Sequence, residues 1–176
     1  MRLTEKQLLD LKENRQTKRQ GNTDLRSFFP VDAWTPRDTS HFKALNYLFN
    51  HPEEFSAQAE HFEQVYIFHY FEMHYPAVYQ GLFAVPNAGK RGMAERGRLS
   101  SQGLRKGIPD IFLDIAIEPY HGCRIELKRT GAKSFNVSNE QNDWIRYYNA
   151  NGYYAKACFG YRDAIDTICS YLNLNK

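Results

Sequence analysis

Asp110, Glu126 and Lys128 are the residues whose types and spacing point to chemistry. The pattern is an acid, a gap, and then an acid-x-lysine triplet. Two carboxylates held close repel each other, so at neutral pH one must take a proton or a cation must sit between them. Hard oxygen ligands of this kind suit Mg²⁺ or Mn²⁺. Lys128, one pleat from Glu126, would then orient or activate a metal-associated water, or stabilise charge developing on a phosphate. A surface hairpin with a cross-strand ion pair is the competing reading of an isolated D…ExK.

The elements that must position these groups follow from the flanking residues. Ile111-Phe112-Leu113-Asp114-Ile115-Ala116-Ile117 is β-branched and aromatic, and predicts a strand over 111–117. A turn over 118–122 and a returning strand over 123–128 complete a hairpin. A hairpin centred near Pro119 sets Asp110 opposite 126–128, and alternation puts Glu126 and Lys128 on one face with Leu127 on the other. Around it the pattern predicts a helix over 56–74 ended by Pro76, a strand over 82–85 and a basic helix over 93–102. A helix over 138–150, a strand over 153–159 and a helix over 161–172 close the chain. The strand-helix-strand ending requires a crossover, hence an α/β fold with a mixed sheet covered by helices. Ahead of it, 1–55 reads as an N-terminal arm, helical over 1–20 and irregular over 21–39. The arm is anchored by Phe28, Phe29, Val31 and Trp34, with a short helix over 41–50.

Other groups gather around this pattern. Glu60, Gln64, Ile67 and Phe71 form one stripe of a helix, so a carboxylate and an amide end an otherwise apolar face. Glu63 is the rival acid on the same helix, and a carboxylate complementing the helix dipole is the competing explanation of either. Ser138-x-x-Gln141 is a capping box, yet Gln141 also starts a stripe with Trp144, Ile145 and Tyr148, so its side chain has two destinations. Pro86-Asn87-Ala88-Gly89-Lys90-Arg91 fails as a Walker A loop, lacking Gly at Ala84 and Ser or Thr at Arg91. Asn87, Lys90 and Arg91 suit a nucleic-acid phosphate or an ordinary solvated turn. The six histidines show no HExxH or other paired ligand spacing.

Composition bounds the function class. The 176 residues, 42% of them apolar, make one domain with a real core and an appended arm. No apolar run of about 18 residues is present, so no membrane partner is expected. Cys123, Cys158 and Cys169 form no CxxC pair and read as reduced core residues of a cytoplasmic protein. The net charge of +3 is uneven: residues 81–133 hold ten Lys or Arg against five acids, and 41–80 hold one Lys against five Glu. The basic stretch is the one carrying the acid pair, and it includes Arg105 and Lys106, which favours nucleic acid as the partner over a merely solvated face.

The order Pro86-Asn87-Ala88-Gly89-Lys90-Arg91, Gly103-Leu104-Arg105-Lys106-Gly107-Ile108-Pro109-Asp110, Ile125-Glu126-Leu127-Lys128 and Ser138-Asn139-Glu140-Gln141 resembles the VRR-NUC family of the PD-(D/E)xK nuclease superfamily. The likeness is to its small stand-alone phage and bacterial members and runs over about 60–172. The family usually has a second Gly where Ala88 stands. The resemblance implies a restriction-endonuclease-like core over 56–176 and a Mg²⁺- or Mn²⁺-dependent endonuclease acting on DNA. Asp110, Glu126 and the Leu127 carbonyl would bind metal, Lys128 would assist water, and Glu60 and Gln141 would support the site. It also implies a homodimer and a preference for branched DNA such as four-way junctions, where two symmetric cleavage points suit two subunits. A non-catalytic nucleic-acid-binding module on the same fold is the alternative, and an RNA-directed or restriction-type nuclease is a third.

Overall fold

The computed structural model describes residues 39–85 and 93–174. Most of the arm and the 86–92 segment lie outside the described residues, and with the latter go Asn87, Lys90 and Arg91. The described elements run α1 (Ser40–Asn50), α2 (Glu54–His74), α3 (Pro76–Tyr79), β1 (Leu82–Ala84), α4 (Met93–Ser101), β2 (Ile111–Leu113), β3 (Cys123–Lys128), a 3₁₀ turn (Ser134–Asn136), α5 (Asn139–Ala150), β4 (Tyr154–Phe159) and α6 (Tyr161–Tyr171).

Local chemistry sets most of these boundaries. The Thr39 hydroxyl caps α1 by accepting from the Phe42 N–H at 3.2 Å. Helix α2 stops at His74 because Pro76 follows, and that proline opens α3 at its first position. The short α3 was not foreseen, since four residues carry too little periodicity to announce a helix. The four strands form one sheet in the order β1-β2-β3-β4. Strands β1, β2 and β3 pair antiparallel, with Phe83 opposite Phe112 and Phe112 opposite Arg124. Strand β4 joins β3 in parallel after the α5 crossover, with Glu126 beside Ala157.

The strand expected over 111–117 ends at Leu113. The seven residues have strand propensity throughout, but continuous ladder pairing stops at the third, leaving only the Asp114 bond to Gly81 and an isolated Ile117–Tyr120 bridge. On one side β1 is only three residues long, and on the other β3 begins at Cys123. Ile115 and Ile117 still pack against the core as an irregular segment.

Strand β3 is buried on both faces. Cys123, Ile125 and Leu127, at 0%, 1% and 0% exposure, join Ile67 and Phe71 of α2 and Ile168 of α6 in the main core. Leu45 and Leu48 of α1 belong to the same core. Arg124, Glu126 and Lys128 point the other way, under α5, where Gln141 and Tyr148 meet them. The three cysteines are free and buried, as their apolar neighbours predict.

Candidate active site

The carboxylates are brought together by strand register. Asp110 immediately precedes β2, and its carbonyl accepts from the Val85 N–H at 2.9 Å, which continues the β1–β2 pairing by one residue. Because Ile111 lies opposite Ile125, Asp110 falls opposite Glu126, as the hairpin reading requires. The Asp110 Oδ2 accepts from the Leu127 N–H at 2.9 Å, so the side chain is tied to the strand carrying its partner acid.

Glu126 is 1% exposed and its two oxygens differ. Oε1 accepts from the Lys128 ammonium at 2.5 Å and from the Gln141 side-chain amide. Oε2 is buried with no hydrogen-bond partner, and the Asp110 carboxyl lies against this group. Burial, then the neighbouring Asp110 charge, push the Glu126 carboxyl up to about 8, even with Lys128 opposing. Burial also raises Asp110, against the Leu127 hydrogen bond and the Lys128 charge. A buried carboxylate oxygen without a donor, set against a second carboxyl, marks a site short of positive charge.

Gln141 does both things its position allowed. Its Oε1 accepts from the Ser138 N–H at 2.8 Å, and its backbone N–H donates to the Ser138 hydroxyl at 3.2 Å. That box turns the amide nitrogen toward Glu126, so the cap and the contact with the acid are one arrangement.

The helical acids have separate places. The α2 backbone leaves helical geometry at Gln58, with φ −130° and ψ 28°, so Glu60 stands in the first turn of the stretch that follows. Glu60 is exposed and accepts from the Arg129 N–H. Desolvation raises its carboxyl, with Lys128 pulling it down and Asp110 pushing it up, so it shares the electrostatics of the acid pair. Glu63 is 1% exposed and its acceptors are occupied by the Thr130 N–H at 2.7 Å, the Thr130 hydroxyl at 2.8 Å and the Tyr161 N–H at 2.8 Å. It clamps α2, the segment after β3 and the start of α6 together. Gly160, at φ +100°, makes room for this clamp, because a Cβ there would stand 2.4 Å from the Thr130 hydroxyl.

Two scaffold features were not read from the sequence. Gly107, at φ +78°, packs its backbone on the start of α5, where an added Cβ would meet the Glu140 Cβ at 2.9 Å. The Trp144 indole N–H donates to the Lys106 carbonyl at 3.0 Å in the same contact, which fixes the loop leading to Asp110. Arg124 is 5% exposed, its guanidinium centred 4.3 Å from the Phe112 ring and 4.4 Å from the Tyr153 ring, and paired with Asp114 at 2.9 Å. The Gly in Gly107-Ile108-Pro109-Asp110 was a visible signal for the first. Nothing local in Cys123–Lys128 announced the second.

Arg105 and Lys106 are exposed on the loop before Gly107, and Lys106 is ion-paired with Glu140, whose carboxyl it pulls down to about 2. Among the described residues no three His, Cys, Asp or Glu side chains converge as metal ligands. The ligating side chains at hand are the two carboxylates of Asp110 and Glu126. They fit a Mg²⁺-like ion, which keeps several waters and takes one or two protein carboxylates. The unpartnered Glu126 Oε2 is the atom that such an ion would satisfy. No helix among the described residues is long and apolar enough to cross a membrane.

No family model matches the chain, and no curated protein does. Among solved structures, one described as a VRR_NUC domain protein is similar with a TM-score of 0.57 and 24% identity, over 66% of this chain and 90% of that one. The mixed four-stranded sheet and its flanking helices agree with this match: the chain shares the fold of that VRR_NUC domain protein.

Proposed function

We propose that the chain is a divalent-metal-dependent nuclease that hydrolyses DNA phosphodiester bonds, with 56–176 as its catalytic domain. The observation that carries this reading is the Glu126 carboxylate, one oxygen held by Lys128 and Gln141 and the other buried, unpartnered and beside Asp110. Two acids kept together at the cost of mutual repulsion make sense around a cation.

Asp110, Glu126 and the Leu127 carbonyl would hold Mg²⁺ or Mn²⁺. The bound ion supplies a water of lowered pKa and neutralises charge on the phosphate. Lys128 stands one pleat along β3, where its ammonium orients the attacking water and stabilises the charge that develops on phosphorus-bound oxygen. Gln141 fixes the Glu126 rotamer from the α5 cap. Glu60, at the exposed edge, completes the negative cluster through its coupling to Asp110 and Lys128, whereas Glu63 spends its oxygens on backbone donors and is a scaffold residue. Arg105 and Lys106, with Asn87, Lys90 and Arg91, would bear on the DNA backbone. Branched DNA and a homodimer extend the same proposal, since two active sites suit a substrate with two symmetric cleavage points. The acid pair and lysine are all present and assembled, which weighs against a binding module that has lost catalysis.

The test is purified protein with linear, flapped and four-way DNA in Mn²⁺, Mg²⁺ or EDTA, alongside Asp110→Ala, Glu126→Ala and Lys128→Ala. Cleavage is expected only with metal, is strongest on branched DNA, and is lost in all three variants. Cleavage that persists in EDTA, or in Glu126→Ala at the wild-type rate, removes the proposal.

A further inference from the structure

Phe135 is the most exposed large apolar side chain among the described residues, at 83%, and its exposure is imposed by its turn. The 3₁₀ turn Ser134–Asn136 is closed by the Lys133 N–H donating to the Asn136 side-chain oxygen at 2.8 Å, and by the Asn136 N–H donating to the Lys133 carbonyl at 2.8 Å. Val137 then turns inward to 9% exposure, and Ser138 caps α5. A fixed turn that buries its valine and presents its phenylalanine to water leaves an aromatic face available to a partner.

The surroundings say which partner. Residues 129–138 run from Lys128 to the α5 cap, and the residues flanking this segment, Lys128 before it and Gln141 in the first turn of α5, bond the same Glu126 oxygen. Phe135 is six residues before Gln141, no more than about 22 Å of chain from the residue whose amide touches Glu126. The stretch 129–139 contains Arg129 and Lys133, both exposed, and no acid. An exposed ring two residues after Lys133 and six after Arg129, on the segment leading from the acid pair to α5, matches the recurring form of single-strand recognition, in which cations track the backbone and aromatic rings stack on bases.

We propose that Phe135 stacks on an unpaired nucleobase close to the cleaved phosphodiester, with Arg129 and Lys133 holding the flanking phosphates. This rests on the nuclease reading and adds to it the device by which unpaired DNA is distinguished from duplex. The ring has nothing to stack on in a fully paired helix, whereas a flap or branch point offers a free base face.

The test uses the full chain and fluorescently labelled DNA in Ca²⁺, comparing a flapped strand with a fully paired duplex of the same length. Phe135→Ala is expected to bind the flap on the order of 10-fold more weakly and the duplex unchanged. Phe135→Trp is expected to restore flap binding, and its added indole emission, read against wild type, is quenched by the flap and not by the duplex. Equal loss on both DNAs, or no loss on either, overturns the proposal. Cleavage in Mn²⁺ is scored separately: a wild-type protein that binds flaps through Phe135 but cuts nothing defeats the nuclease reading and leaves the stacking role standing.

Discussion

Replacing Glu126 with glutamine should make the metal-free protein more stable, and the size of the gain should depend on pH in a set way. The folded carboxyl titrates at about 8 against an ordinary 4.5, so between those values the folded state holds a proton that the unfolded chain has released. Each pH unit across this window therefore removes about 1.4 kcal/mol of stability from the wild type. By pH 7 the loss is roughly 3 kcal/mol, and above pH 8 it levels off at about 4–5 kcal/mol. The amide introduced by Glu126→Gln would keep an acceptor for Lys128 and Gln141 and hold a donor toward Asp110 at every pH, where the wild-type carboxyl loses its proton as pH rises. For a chain of this length about 3 kcal/mol corresponds to roughly 6–12 °C in melting temperature. Melting curves in EDTA at pH 5, 7 and 8.5 should show the two proteins close together at pH 5 and diverging as pH rises. Adding Mn²⁺ at pH 7 should raise the wild type and leave Glu126→Gln unmoved, because only the wild type gains a bound ion. A variant less stable than wild type at pH 8.5 would refute the view that this acid pair is strained without a cation.

Three further outcomes are expected. Glu63→Gln should cost about 3 kcal/mol or more in urea unfolding, because an amide would set its own donors against the N–H groups of Thr130 or Tyr161. Gly107→Ala should cost about 1–3 kcal/mol, through its positive φ and the collision with Glu140, and should lower kcat more than it raises KM by displacing Asp110. Glu140→Gln should release Lys106 for phosphate and steepen the salt dependence of DNA binding by about one unit of slope, measured by titration at several salt concentrations; an unchanged slope would place Lys106 off the DNA path.

The site was legible wherever one strand's period or one helix's period determined it. Alternation put Glu126 and Lys128 on one face of β3, and the hairpin register put Asp110 against them, because both depend on neighbours close in sequence. The choice between Glu60 and Glu63 was not legible. The two are three residues apart on one helix face, and what separates them is Thr130 and Tyr161, which arrive from far along the chain. The burial of Arg124 escaped for a related reason. An Arg-x-Glu-x-Lys alternation reads as a solvated strand face, and only the arrival of α5 over the sheet turns it into an interior one. Propensity likewise extended β2 past Leu113, since the shortness of its neighbours is invisible from within 111–117.

The parallel pairing of β3 with β4 has a consequence for synthesis. Until residues 154–159 exist and dock, the strand bearing Glu126 and Lys128 is the edge of a three-stranded sheet, and the clamp from Glu63 to Tyr161, 98 residues apart, cannot close. A chain made only as far as residue 153 therefore holds Glu126 and Lys128 on a strand with one margin unpaired.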